Sequence, residues 1–291
     1  MSRYRFIRAE KATYPVALLC RLLGVARSGY YAWARRGGSA RARADEELTA
    51  QIAQIHQGSR RTYGAPRVHA ALQGCGVRCG SRRVARLMRA AGLVGCRRRR
   101  ARTTVADPAQ APAPNLVARE FSAPTPDRLW IGDITYVATW EGWLYLAVLL
   151  DAHSRRVVGW AMADHLRAEL ALEALQMALA ARQPAADLVH HTDRGCQHTA
   201  GAHQDALAAR GIAVSMSRTG DCYDNAMAES FCATLKTELI DTRSWPTRRA
   251  ARQAIFEWLE VWYNRQRLHS ALAYRSPAAF EQALAREAPA A

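Results

Sequence analysis

Between residues 129 and 240 the spacing of apolar residues changes in a fixed order, and that order leaves few folds open to the chain. Three strand-like runs come first, at 129–138, 143–151 and 156–163, joined by very short connections. Connections that tight predict an antiparallel meander. Residues 168–182 then repeat at helical spacing, with Leu170, Leu172, Leu175 and Leu179 on the side expected to be buried. A short apolar strand at 188–192, a helix at 201–210, a strand at 213–217 and a long helix at 225–240 follow. The order β-β-β-α-β-α-β-α predicts an α/β fold with one mixed five-stranded sheet and helices on its faces. A last helical stretch at 247–265 carries Phe256, Trp258, Trp262 and Tyr263. Trp258, Trp262 and Tyr263 are expected in the core rather than as a base-stacking platform.

Charge is divided as sharply as periodicity. The net is +16, yet residues 1–100 hold 22 of the 41 Lys and Arg and only four of the 25 acids, Glu10, Asp45, Glu46 and Glu47. The first hundred residues therefore carry +18 and the remaining 191 carry −2. Such segregation is the electrostatic footprint of a polyanion-binding arm joined to a near-neutral domain. Codon bias explains arginine in place of lysine but not this separation. Within the arm the residues read as short helices, with two helix-turn-helix candidates near 16–36 and 67–91. Ser28 is expected to cap the second helix of the first candidate, and Ser81 that of the second. In that last helix Val84, Leu87 and Met88 face inward, while Arg82, Arg83, Arg86 and Arg89 are left for DNA phosphates. The alternative is an ordinary solvated face. A basic run at 97–102 and a Pro/Ala/Arg-rich linker over 101–128 separate the arm (1–100) from a core at 129–243 and a C-terminal helical extension at 244–291.

Several function classes drop out. The longest apolar run, 143–150, is far below the roughly 20 residues needed to cross a bilayer, and Arg3, Arg5, Arg8 and Lys11 have no apolar segment behind them to form a signal peptide. Seven cysteines at irregular spacing are no disulfide framework and suit a reducing cytosol. Cys75 and Cys79 have no second ligand pair at finger-like spacing, so structural zinc is not expected.

Three acids stand at special places. Asp133 lies inside the first strand, where a charge is costly unless compensated. Asp193 comes directly off the fourth strand, and strand ends are where ligand sites gather in such sheets. Glu229 lies one turn into the long helix. Carboxylates that converge from separate elements repel one another and need cations between them. Hard oxygen ligands select Mg²⁺ or Mn²⁺, and two such ions about 3.5–4 Å apart form the clamp for in-line phosphoryl displacement. Lys236 is two turns beyond Glu229, about 10.5 Å along one helix face, where it can hold a DNA phosphate or simply be solvated. Asn225 is expected to cap the long helix, and His191 (with His190) to be a supporting or core group. Asp151, His153 and Arg155 fit a hydrogen-bonded strand turn. Arg265, Arg267 and His269 fit DNA contact and a bracing role equally well.

The residues around these acids carry a resemblance. The words are Trp130-Ile-Gly-Asp-Ile-Thr-Tyr136, Leu150-Asp-Ala-His-Ser-Arg-Arg156, His191-Thr-Asp-Arg-Gly195 and Asp224-Asn-Ala-Met-Ala-Glu-Ser-Phe231, with 35 residues between Asp193 and Glu229. Trp262-Tyr-Asn-Arg-Gln-Arg-Leu-His-Ser270, Ser276-Pro277, Thr62-Tyr-Gly-Ala-Pro-Arg-Val-His69 and Arg82-Arg-Val-Ala-Arg-Leu-Met88 add to them. Over roughly residues 15 to 282 the chain resembles the OrfB-type transposases of the two-reading-frame (IS-three family) insertion sequences, whose catalytic core is retroviral-integrase-like. The resemblance implies a ribonuclease-H-like core with Asp133, Asp193 and Glu229 as catalytic metal ligands, Asp133 shared by two Mg²⁺ ions, and Mn²⁺ able to substitute. It implies a bacterial cytoplasmic enzyme, nucleoid-associated when bound to DNA, that acts on terminal inverted repeats and target DNA. A homo-oligomer on DNA and an upstream-frame product or fusion are the other partners it implies, with no membrane. Two readings stay open beside it: a plain two-metal nuclease of the same fold, and an inactive or regulatory DNA-binding relative.

Overall fold

The computed structural model of the chain describes residues 2–35, 39–96, 114–117, 121–193, 195, 197, 200–217 and 225–287. The basic run at 97–102 and most of the expected linker lie outside them. Among the described residues no helix is long and apolar enough to cross a membrane.

The sheet follows the expected order with small changes at its ends. Strands β1 (Leu129–Thr139), β2 (Gly142–Asp151) and β3 (Val157–Ala163) form the antiparallel meander, while β4 (Val189–Thr192) and β5 (Ala213–Met216) run parallel to β1. The spatial order is β3-β2-β1-β4-β5, so β1 is central. Strand period sorts the side chains into two layers. On β2, Leu144, Leu146, Val148 and Leu150 enter one apolar cluster, and Ala147 and Leu149 enter the other. On β1, Leu129, Ile131 and Val137 join the first cluster and Trp130 the second. Asp133 therefore faces the first layer.

Helices α7 (Ala168–Arg182) and α8 (Gly201–Ala208) close the second layer. The buried side of α7 is Leu170, Ala171, Ala174, Leu175, Ala178 and Leu179. Leu172, expected among them, is only half-buried, because the stripe is completed by alanines that let the helix come close to the sheet. The first layer is covered by α9 (Ala226–Glu238) and α10 (Arg248–Glu257). In place of one uniform helix over 247–265, α10 opens into a π-helical segment at 258–263. The wider turn buries Trp258, Leu259, Trp262 and Tyr263 together, so the aromatic residues belong to the core as expected. Helix α11 (Pro277–Glu287) returns to the sheet, where Glu281 binds Arg182 at 2.9 Å and Arg156 at 2.5 Å. Asn264 covers the outer strand by bonding both the N–H and the carbonyl of Val157 at 3.0 Å.

The described residues of the first hundred form two packed units. Helices α1 (Arg3–Glu10), α2 (Val16–Leu22) and α3 (Arg27–Arg35) have a small cluster of their own around Ile7, Leu19, Cys20 and Tyr30. Helices α4 (Ala40–Gly58), α5 (Ala65–Gly74) and α6 (Ser81–Ala90) instead share the first-layer cluster with the sheet. Tyr63 makes the join: its hydroxyl accepts from the Leu268 N–H at 2.7 Å and its ring lies 5.7 Å from that of Trp262. The 19-residue α4 departs from the expectation of short helices. Neither expected serine cap forms. Helix α3 begins at Arg27, which puts Ser28 inside it, and α6 is preceded by Gly80 with no side-chain cap bond.

Candidate active site

Three elements bring acids to the first-layer face of β1. Asp133 sits mid-strand, Asp193 directly follows β4, the parallel neighbour of β1, and Glu229 is in the first turn of α9, where a carboxylate is favoured by the helix dipole. Burial pushes the Asp133 carboxyl up to about 7, and the negative charges of Asp193 and Glu229 push the same way. Asp133 therefore feels both of the other acids. Two contacts oppose this, each more than Glu229 adds: Asp133 Oδ2 accepts from the Cys232 thiol at 3.4 Å, and Oδ1 accepts from the Ile134 N–H at 2.8 Å. Asp193 Oδ1 accepts from the Gly195 N–H at 3.1 Å. Among the described residues no group of three or more His, Cys, Asp and Glu side chains stands where it could hold a metal ion, so Asp133, Asp193 and Glu229 face one region without being gathered as a ligand set.

Cys232 is a site residue that the motifs do not mark. It lies three residues after Glu229, on the same face of α9, and that spacing is the signal that identifies it. Its own thiol is pushed up by burial and by Asp133.

The supporting residues act on backbone placement. Asn225 stands just before α9 but makes no cap bond there; its amide donates instead to the Gly132 carbonyl at 3.3 Å, one residue from Asp133. The expected cap is thus replaced by a tie between α9 and β1. Gly132 itself leaves no room for a side chain, since a Cβ would lie 2.9 Å from Thr192 Cγ2. His191 is buried, with Nδ1 2.8 Å from Ser215 Oγ and Nε2 3.3 Å from Ser217 Oγ. It pins β4 to β5 two residues before Asp193. Asp151 holds the β2–β3 turn as expected, accepting from the Ser154 N–H and hydroxyl at 2.7 and 2.8 Å.

The basic residues divide. Lys236 Nζ lies 4.9 Å above the Tyr136 ring, on the Glu229 and Cys232 side of α9. Arg83 and Arg86 each bind Asp45 of α4 at 2.7 Å, and these two cations hold that carboxyl below its ordinary value. Arg82 and Arg89 are exposed and make no ion pair among the described residues. Arg267 is a brace: it clasps Glu238 through Nε and Nη2, with both side chains 5% exposed.

Residues 123–222 and 210–277 match integrase core domain families, and residues 43–101 match an HTH-like domain. An integrase-type core behind a helix-turn-helix-like arm is thus the class the fold and these families define. The chain is 42% identical over 265 residues to the "Insertion element IS600 uncharacterized 31 kDa protein" of Shigella sonnei, covering 91% of this chain and 97% of that one. It is 38% identical over 282 residues to "Transposase InsF for insertion sequence IS3A" of Escherichia coli (strain K12), covering 96% and 98%. Among solved structures, a simian T-cell lymphotropic virus intasome chain aligns with a TM-score of 0.46 at 17% identity, covering 79% of this chain and 74% of that one. The chain belongs to the IS3-family transposases.

Proposed function

We propose that this transposase hydrolyses a phosphodiester at each end of its element and joins the freed 3′-hydroxyl to a target strand, using Asp133, Asp193 and Glu229. The observation behind this is the raised Asp133 carboxyl, held up by burial and by two further carboxylates from separate elements. No basic side chain pairs with Asp133 among the described residues, so its charge is compensated only by a thiol and an amide. Such a set fits hard divalent cations. Asp133 would be shared by two Mg²⁺ ions, or Mn²⁺ in their place, with Asp193 and Glu229 each completing one. Bound there, the ions supply activation of the attacking oxygen and neutralisation at the leaving one. Glu229 is exposed in the first turn of α9, from where it would complete the set. Asn225 and His191 fix the strands that carry Asp133 and Asp193, so they orient the acids without touching DNA. Lys236 holds a DNA phosphate beside the acids, and Arg82 and Arg89 bind phosphates along the arm. Because two ends must be joined, the active species is a homo-oligomer on DNA, with an upstream-frame product or fusion as an additional partner.

The test is incubation with Mg²⁺ and a labelled duplex carrying the inverted repeat that flanks the reading frame. Cleavage and joined products are expected. Asp133→Asn is expected to lose more than the ~100-fold that a change outside the ligand set costs, while still binding the duplex. Free ends without joined products would assign a nuclease, and binding without cleavage a regulatory relative. Undiminished cleavage by Asp133→Asn would reject the assignment of the acids.

A further inference from the structure

The reverse side of α9 borders a second basic site. A cavity of about 210 Å³ opens between α5, the β2–β3 turn, α9 and the segment after the π-helical turn. Its helix wall is Met227, Ser230, Phe231 and Thr234. At 100° per residue these lie roughly 100–160° around α9 from Glu229, so the cavity is on the face turned away from the catalytic acids. Three guanidinium groups reach it: Arg67 from the arm, Arg155 from the turn, and Arg267 from the C-terminal segment. No carboxylate lines it among the described residues.

Among the described residues only one of the three cations makes an ion pair. Arg267 is held by Glu238. Arg67 lies 5.7 Å over the Tyr63 ring, and neither it nor Arg155 has a carboxylate partner among the described residues. Both are half-buried, and burial lowers the proton affinity of each. His269, whose Nε2 lies 3.2 Å from the Arg267 guanidinium, is driven far below its ordinary value by burial and then by Arg267, Arg67 and Arg155. It meets them as a neutral ring, with Nε2 accepting from Arg267. Arg155 also adopts φ +62°, a left-handed backbone that glycine would take more cheaply. Both guanidinium groups are half-buried with a carboxylate acting on them only from beyond pairing distance, Glu238 on Arg67 and Asp151 on Arg155, and an anion in the cavity would offset the cost of burying them.

We infer that this cavity is a binding site for a phosphate group, gripped by Arg67 and Arg155 and lined by the Ser230 and Thr234 side chains. The site spans arm, turn and α9, so occupancy locks the arm against the helix that carries Glu229. In the protein–DNA complex the phosphate belongs to a strand passing the arm–core junction, a clause that rests on the proposed function; the alternative source is free phosphate. Guanidinium forks suit either.

The test compares the full chain with Arg67→Gln/Arg155→Gln and with Ser270→Glu, which brings a carboxylate to the lip of the cavity. Inorganic phosphate is expected to raise the Tm of the unaltered protein beyond chloride at equal ionic strength, as ligand linkage requires. Both variants are expected to lose that rise. In phosphate-free buffer both are expected to melt no lower than the parent, because each lessens the positive charge gathered around His269, whereas structural braces would melt lower. With the element-end duplex, the slope of log affinity against log salt is expected to fall by about 0.9 in either variant, for the one phosphate released, assigning DNA as the source. A lost phosphate rise with an unchanged slope assigns free phosphate and overturns the DNA clause. Absence of any phosphate effect together with an unchanged slope overturns the site. Failure of the catalytic assignment shows separately, as cleavage that survives Asp133→Asn.

Discussion

His269 illustrates how far a neighbourhood of fixed charge bends one residue. Burial and the cations Arg267, Arg67 and Arg155 press its pKa from the ordinary 6.5 down to about 2. In the unfolded chain the ring takes a proton as pH falls through 6.5; in the folded chain it does not until about 2. The unfolded state therefore binds more protons between these values, and the stability His269 contributes is fully present above pH 6.5 and drains away below it. His269→Gln keeps an acceptor for Arg267 without a titrating group. Thermal melts from pH 7.5 to 4.5 are expected to fall less steeply for this variant than for the parent, and parallel profiles would remove His269 from the balance. The same scale explains what sequence reading left open for Arg267 and His269. Spacing brings them near the C-terminus together, but only the buried Glu238, 29 residues earlier, tells a brace from a DNA contact.

At the scale of elements, legibility follows how broad a stripe each element buries. The strands were readable because β2 buries both faces, so its aliphatic run is nearly continuous. Helix α7 was readable from its leucines, even though alanines supply half of its contact. Helix α4 was not: it buries only Leu48, Ile52 and His56, one residue per turn inside a charged run, which a period search does not separate from a solvated segment. The π-helical segment at 258–263 was hidden for another reason, since its aromatic spacing fits an α-helix as well, and tertiary packing alone favours the wider turn. Alanine-mediated approach makes its own prediction. At Gly159 of β3 a Cβ would run into the Ala174 carbonyl and lie 2.7 Å from Ala178 Cβ, so α7 must move for any side chain to fit. Gly159→Ala is expected to lower stability by about 1–3 kcal/mol in urea titrations, the usual result of overpacking, despite alanine's better backbone entropy. A neutral or stabilising effect would mean that α7 rides on the sheet more loosely than its packing describes.

The whole molecule joins a near-neutral catalytic layer to a strongly basic arm, and the arm is divided by where its apolar residues go. Helices α4–α6 share a core with the sheet, while among the described residues the apolar side chains of α1–α3 form a separate cluster around Ile7, Leu19, Cys20 and Tyr30. Charge does not follow that division, because residues 1–39 alone carry seven more basic than acidic groups. Stability and polyanion affinity are consequently separable properties of the arm. Removing residues 2–38 takes away an independent cluster, so the main unfolding transition is expected to stay within a few degrees of the parent's. Affinity for duplex DNA is expected to drop and to become less sensitive to salt, with the log–log slope falling by about 0.9 for each phosphate the shortened arm leaves unneutralised. Titrations at four salt concentrations on parent and truncated chain give both slopes. Equal slopes would place the phosphate-binding groups wholly on α4–α6 and the core, leaving α1–α3 a role in protein association rather than DNA binding. A collapse of the main transition would instead show that the small cluster supports the rest of the fold.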